Sequence, residues 1–454
     1  MPARCPGTVR LAFSRGMSHA NVTELKIGMK DSSPNKIEEL KPEFSDVEEE
    51  AEALIASIID PSTDGNRYPL YERLRDIAPI YRTRHPLLEG WYLISGYENC
   101  RTAMLAQEAV QNSFSLESMN IRDDGVHDDM VRRWMNFRDD PADHDRLRKL
   151  FFRYFTPRAV TEWRSGIKEL IDQLLDAVGD KKEVDIFAEF CFPLPSLVIA
   201  RMLGIPMDDM GRFQHVMEEM IAAMAQVQDL DAEARERRDK TAGEFLDFFR
   251  QYLDMRRQNP ADDLISKVGI SAPEAGVDDT DLLAQFVFLL IAGHSTTADS
   301  IGNALIALDQ NRDQLQLLLD KQVDLTIAAS ELMRYDSSIG TVNRYFVEEM
   351  NLDGVTIPAG SKTIMLFPSA HRDPGKFENP NRLDLTRESA SDAFPFGGGR
   401  YFCLGQALAK VEIKEALAAF LDRYPTYRVI DYDWQGGLVS HGPKYLNMEL
   451  HHDS

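Results

Sequence analysis

A chain of 454 residues with a formal net charge of −23 is long enough to bury a sizeable core and too acidic for general nucleic-acid binding. Its four cysteines, Cys5, Cys100, Cys191 and Cys403, show no paired spacing, so a disulfide framework and a zinc module are not expected and a reducing cytoplasm fits. The longest apolar run, Phe286 to Ala292, is much shorter than the roughly 18 residues of a membrane span, so no membrane anchor is expected.

Arg4, Arg10 and Arg15 precede Met17 without an acid or a sustained apolar core, which makes Met17 a candidate start. Residues 1–46 read as a flexible polar arm and 47–454 as one domain. Apolar residues return at helical spacing over Val47–Ile59 and again over Tyr68–Ile77. Ile80–Thr83 and Trp91–Ile94, separated by Pro86 and Gly90, have the composition of a strand pair. Residues 107–130 lack a clear period and mix apolar side chains with acids, the pattern of a solvated surface loop.

Pro141 starts the next helix, in which His144 and Arg148 share one face as donors one turn apart. That spacing suits a ligand with paired carboxylates, and it equally suits the exposed side of an amphipathic helix. Arg146, Lys149, Arg153 and Arg158 form a basic stripe beside it, against an acidic background. Trp163 to about Arg257 is nearly all helical, and Met217, Met220 and Met224 fall at helical spacing as either core or an adaptable pocket roof.

Asp278, Asp279 and Thr280 supply capping for a helix running to about Leu308, on the order of 45 Å long. Its first half is apolar on every face, and Ala292-Gly293 then removes side-chain bulk just before Ser295 and Thr296. Glu331 and Arg334 share a helix face, Arg344 follows ten residues later, and Val355–Lys362 and Thr363–Leu366 read as short strands. Finally Phe396-Gly-Gly-Gly-Arg-Tyr-Phe-Cys403-Leu-Gly405 sets one cysteine at the mouth of a helix, where unpaired N–H groups lower a thiol's pKa. Chemistry alone leaves Cys403 as either a metal ligand or a buried free thiol in a tight turn.

The order Phe396-Gly-x-Gly-x-x-x-Cys403-x-Gly405 resembles the ligand loop of the cytochrome P-450 family, the haem-thiolate monooxygenases. The resemblance extends from about residue 50 to the end and includes Ala292-Gly293-x-x-Thr296 and Glu331-x-x-Arg334. It implies a mainly α, single-domain fold with a small β portion and haem b held by Cys403, whose thiolate favours O–O cleavage. His144, Arg148 and Arg344 would meet the haem propionates. Phe396 and Gly397 would shape the ligand loop with Gly405, and Ala292 and Gly293 would leave room for oxygen. Arg400 is a candidate propionate contact because Tyr401 occupies the position where the family usually has His or Arg.

Thr296 would deliver protons together with Ser295, which stands where the family places an acid. Serine relays a proton but has no useful acidity, so the expectation is either slower proton supply or supply through water or from Asp299, one turn on. The resemblance also implies an apolar small-molecule substrate, O2, a small acidic ferredoxin docking near the basic stripe and Lys410, and a separate NAD(P)H-dependent reductase. The missing acid keeps open a peroxide-driven or coupling enzyme, and beyond it a non-catalytic haem-binding protein.

Overall fold

A computed structural model describes residues 46–60, 67–106, 110–111, 125–138, 140–225, 232–435 and 438–451. The expected N-terminal arm lies outside them. Asp46 caps the first helix by accepting from Glu48 N, and α1 (Val47–Ile59) turns Ala51, Ile55 and Ile58 inward against α2 (Tyr68–Ile77). Both helices have the expected bounds.

The strand pair forms as β1 (Ile80–Arg82) and β2 (Tyr92–Ile94), antiparallel, with Ile80 opposite Ile94. β2 then runs parallel to β8 (Ser361–Leu366), which pairs antiparallel with β5 (Thr341–Phe346), and β3 (Val110–Gln111) forms the far edge. The strand-like stretches at 355–366 are not one hairpin. β7 (Val355–Ile357) turns back onto β6 (Met350–Leu352) through Asp353 and Gly354, both at positive φ, while β8 leaves to join the larger sheet. A third sheet, β4 (Glu183–Asp185), β10 (Pro443–Glu449) and β9 (Arg428–Trp434), was not expected at its first strand. Three residues carry no readable period, and β4 owes its existence to a partner at the far end of the chain.

Helices make up the rest. α3 (Tyr97–Leu105) follows β2, and α4 (Val126–Arg132) follows the 107–124 stretch, most of which is outside the described residues. α5 (Pro141–Phe152), capped by Asp140, and α6 (Pro157–Val178), capped by Thr156, lead through a π-turn (Phe187–Cys191) into α7 (Pro193–Leu203). α8 (Met210–Ala225) packs on α9 (Ala232–Gln258), and here Met217 and Met220 are sealed in the core beside Phe213 and Phe248. They are packing residues and not a pocket roof; the Met224 side chain is outside the described set.

α10 (Leu264–Ser271) precedes the central helix α11 (Asp279–Gln310), started by Asp278 accepting from Asp281 N. Its length and apolarity are those of a membrane-crossing helix, yet it is enclosed by α7, α9, α13 (Leu325–Tyr335) and α15 (Gln406–Arg423), with α12 (Arg312–Leu319) at its end. Being surrounded is what makes it apolar on all sides. The short α14 (Phe367–His371) returns the chain towards the cysteine loop. The described residues from Asp46 onward form one compact unit, mainly helical with a small β portion.

Candidate haem-thiolate site

Two segments remain partly open in the middle of this core. On α11 the flanks are sealed, but Ala292 is exposed and Phe288, Leu289, Gly293, Ser295 and Thr296 are half-buried. The loop from Phe396 to Gln406 is half-buried throughout.

The loop is held by its own backbone. Cys403 N donates to Phe396 O at 3.0 Å and Gly397 N to Phe394 O at 2.9 Å, closing a tight turn in which Gly397 and Gly399 take φ of +71° and +67°. A Cβ on Gly405 would lie 4.0 Å from Cys403 Sγ, so that glycine keeps one side of the sulfur uncrowded. Burial pushes the Cys403 thiol above its ordinary value, opposed by the Gly405 and Gln406 amides and by Arg148. The helix-mouth amides therefore act in the expected sense but do not outweigh desolvation. Lys410 stands over the Phe396 ring at 5.4 Å.

The polar residues gather around Tyr401. The His144 ring is 4.9 Å from the Tyr401 ring and the Arg344 guanidinium 5.1 Å from it, so residues from α5, β5 and the cysteine loop meet at one point. His144 Nδ1 pairs with Asp145 Oδ1 at 2.9 Å, leaving His144 Nε2 buried without a partner. Arg344 is buried, and desolvation pushes its guanidinium down to about 10. Burial likewise lowers Arg148, an effect that Cys403 and Asp145 oppose. Arg400 lies 3.6 Å from Asp145 Oδ2, at the same cluster.

On the opposite segment, Thr296 Oγ1 donates to Ala292 O at 3.2 Å. A Cβ on Gly293 would fall 2.6 Å from Ile199 Cδ1, so Gly293 admits α7 to the helix, and Ala292 is the small residue on the open side. His294 is pinned to Phe192 O at 2.8 Å and pushed down to about 4 by burial.

A family model for cytochrome P450 matches residues 103–426. The chain belongs to the cytochrome P450 family. This P450 is 32% identical over 377 residues to the biotin biosynthesis cytochrome P450 of Bacillus subtilis, covering 82% of this chain and 92% of that one. It is 32% identical over 396 residues to the 6-deoxyerythronolide B hydroxylase of Saccharopolyspora erythraea, covering 84% and 96%. Among solved structures, a P450 complexed with an acyl carrier protein bearing hexadec-9Z-enoic acid superposes with TM-score 0.76 at 29% identity, covering 85% of this chain and 98% of that one. A myxobacterial P450 in complex with myristic acid superposes with TM-score 0.77 at 29% identity, covering 87% and 99%.

Haem b is the cofactor of this family, and the residues of this P450 fit it. The unpartnered His144 Nε2 and the buried Arg344 form a cationic, hydrogen-bonding end suited to carboxylates, and the half-open Cys403 offers a thiolate ligand. Two anchors of the segment leading to the cysteine loop were not singled out in the sequence as site residues. His371 Nε2 accepts from Phe394 N at 3.1 Å, at the entrance to the loop, and burial holds the ring neutral with a pKa down to about 3. Arg387 joins the Glu331–Arg334 pair at 3.2 Å. The His371-Arg-Asp-Pro374 motif was the available signal for the first, whereas the second depends on a fold-back that only tertiary structure supplies.

Proposed function

We propose that this P450 monooxygenase inserts one oxygen atom into an aliphatic chain of fatty acyl or polyketide type, drawing electrons from a separate ferredoxin. The supporting observation is the open face of α11, where Phe288, Leu289 and Ala292 present hydrocarbon and the hydroxyls of Ser295 and Thr296 are the polar groups. Such a wall binds by excluding water and offers no charge to pair with a polar ligand. The acyl-carrier and myristic-acid complexes of similar P450s support the same class.

When bound, the haem supplies oxygen activation and insertion, and the chain's own side chains hold and feed it. Cys403 is the proposed ligand, with Phe396, Gly397 and Gly405 setting its loop. His144, Arg148 and Arg344 are the proposed carboxylate contacts, with Tyr401 between them and Arg400 steered by Asp145. Ala292 leaves space beside Thr296, while Gly293 lets α7 pack against the helix. Exposed Lys149, Arg153, Arg158 and Lys410 form the proposed landing face for an acidic partner, whose encounter would slow as salt rises.

Titration of the ferric protein with myristic acid, a terpenoid, a steroid and an aromatic compound, followed by absorbance, tests the substrate class. A spin-state shift with myristic acid alone is expected; a shift confined to another class overturns the aliphatic assignment.

The peroxide-driven alternative is favoured by Ser295. Ser295→Glu is expected to raise the fraction of electrons ending in product and to change its pH profile. If coupling and pH profile stay unchanged, the serine does not limit proton supply, and turnover with peroxide that exceeds turnover with ferredoxin would establish the alternative.

A further inference from the structure

We propose that Asp299 is the proton store for this enzyme's oxygen chemistry, feeding the Ser295 and Thr296 hydroxyls through ordered water and refilled from the surface past Asn303, His441 and Asp336. The proposal rests on the monooxygenase reading above and names how its protons arrive.

Ser295, Asp299 and Asn303 succeed one another four residues apart, so their side chains form one row on α11. Asp299 is completely buried, and neither of its Oδ atoms has a hydrogen-bond partner. One turn on, Asn303 Oδ1 is a second buried acceptor without a partner. Unpaired acceptors in adjoining turns of a core helix are costly, and the remedy is a proton on the carboxyl with water between the turns. Burial pushes the Asp299 carboxyl up to about 8, so at neutral pH it carries a transferable proton.

The surroundings preserve that state. Burial pushes up the Cys191 thiol of the π-turn, with Asp185 on β4 and Asp299 adding to the shift, so that thiol stays neutral. His294, on the helix itself, is held to Phe192 O, while Gly442 sets its backbone against Asp299. A Cβ there would lie 2.2 Å from Asp299 Cγ, so glycine is what lets the carboxyl rest against this chain segment.

Asn303 also marks the way out. Its Nδ2 donates to His441 O at 3.0 Å, and His441 Nε2 lies 3.1 Å from Asp336 Oδ1, which accepts from the Tyr68 hydroxyl at 2.8 Å. The His441 and Asp336 side chains keep 14% and 11% of their surface exposed, beside a cavity between Tyr68, Gly340, Leu438 and Ser440. The partly solvated acid–base pair thus lies behind the His441 backbone carbonyl that Asn303 touches, and water completes the path to the buried carboxyl.

Insertion follows RH + O2 + 2 e− + 2 H+ → ROH + H2O, with electrons from the redox partner and both protons going to the oxygen released as water. Asp299 gives a proton to a bridging water, which protonates onward through the Ser295 or Thr296 hydroxyl, and the carboxylate left behind is reprotonated from the His441 end. Ser295 acts as a relay, and the acid sits one helical turn away.

The test compares haem-loaded full-length protein with Asp299→Asn, alone and combined with Ser295→Glu. Without substrate, infrared difference spectra should contain a protonated-carboxyl band that fades as pH rises through about 8 and is missing from Asp299→Asn. Because the folded state holds this proton in a range where the unfolded chain has lost it, thermal stability should fall as pH rises from the ordinary carboxylate range to about 8. Asp299→Asn should lack that fall. With myristic acid and a surrogate ferredoxin and reductase, Asp299→Asn should lower product per electron by about tenfold with matching hydrogen peroxide release, and the added Ser295→Glu should restore coupling. Absence of an Asp299-dependent band at neutral pH, or unaltered peroxide yield and pH profile, overturns the proposal. A parent protein without a haem-thiolate spectrum, or without product from myristic acid, counts against the reading of the site instead, and the infrared band then decides the proton store by itself.

Discussion

Cys403→Ser is expected to abolish product formation and to remove the thiolate signature from the carbon monoxide difference spectrum, while leaving the helical circular dichroism unchanged. A serine hydroxyl is the same shape but has no accessible anion near neutral pH, so the electron-donating ligand is lost. The fold should tolerate the change because the loop is closed by Cys403 N to Phe396 O and anchored by His371 to Phe394 N, contacts that use no sulfur. A variant that retained the thiolate signature would remove Cys403 from the site. Loss of circular dichroism together with activity would mean that the sulfur mainly supports packing.

Arg334→Leu should destabilise the protein by about 3–5 kcal/mol in chemical denaturation. Both members of the Glu331–Arg334 pair are fully buried, with bonds of 2.6 and 2.8 Å, and removing the guanidinium strands a carboxylate in the core. Arg387 at 3.2 Å and the Asp384 amide at 3.0 Å soften the loss without replacing a bidentate partner. Arg334 Nη1 also ties His371 O at 2.8 Å and Pro380 O at 3.0 Å, so the segment leading to the cysteine loop loosens as well. For that reason the double variant Glu331→Leu/Arg334→Leu should recover only part of the stability, unlike an isolated buried pair, for which apolar replacement is often neutral. Full recovery would show that the backbone ties carry little.

The elements legible in the sequence were those with a long period or a local cap. Val47–Ile59 and Tyr68–Ile77 show helical spacing, the helix begun at Asp278 adds a cap to it, and each forms within a residue or two of its expected limits. Cys403 was legible because glycines at positive φ leave a signature that few other structures require. The methionine stripe was less informative, since thioethers suit a core and a pocket roof equally, and only the packing of α8 on α9 separates the two. Gly293 likewise read as room for a ligand, whereas its hydrogen admits Ile199 of α7.

The sequence by itself determined the family, the glycine-rich turn around Cys403 and the helices, because each depends on residues close together in the chain. Tertiary structure alone decided that β4 pairs with β10, that Tyr401 lies between His144 and Arg344, and that Asp299 is buried. Those facts depend on partners far apart in the chain, and burial, which sets the charge of a carboxyl, is a property of everything packed around it.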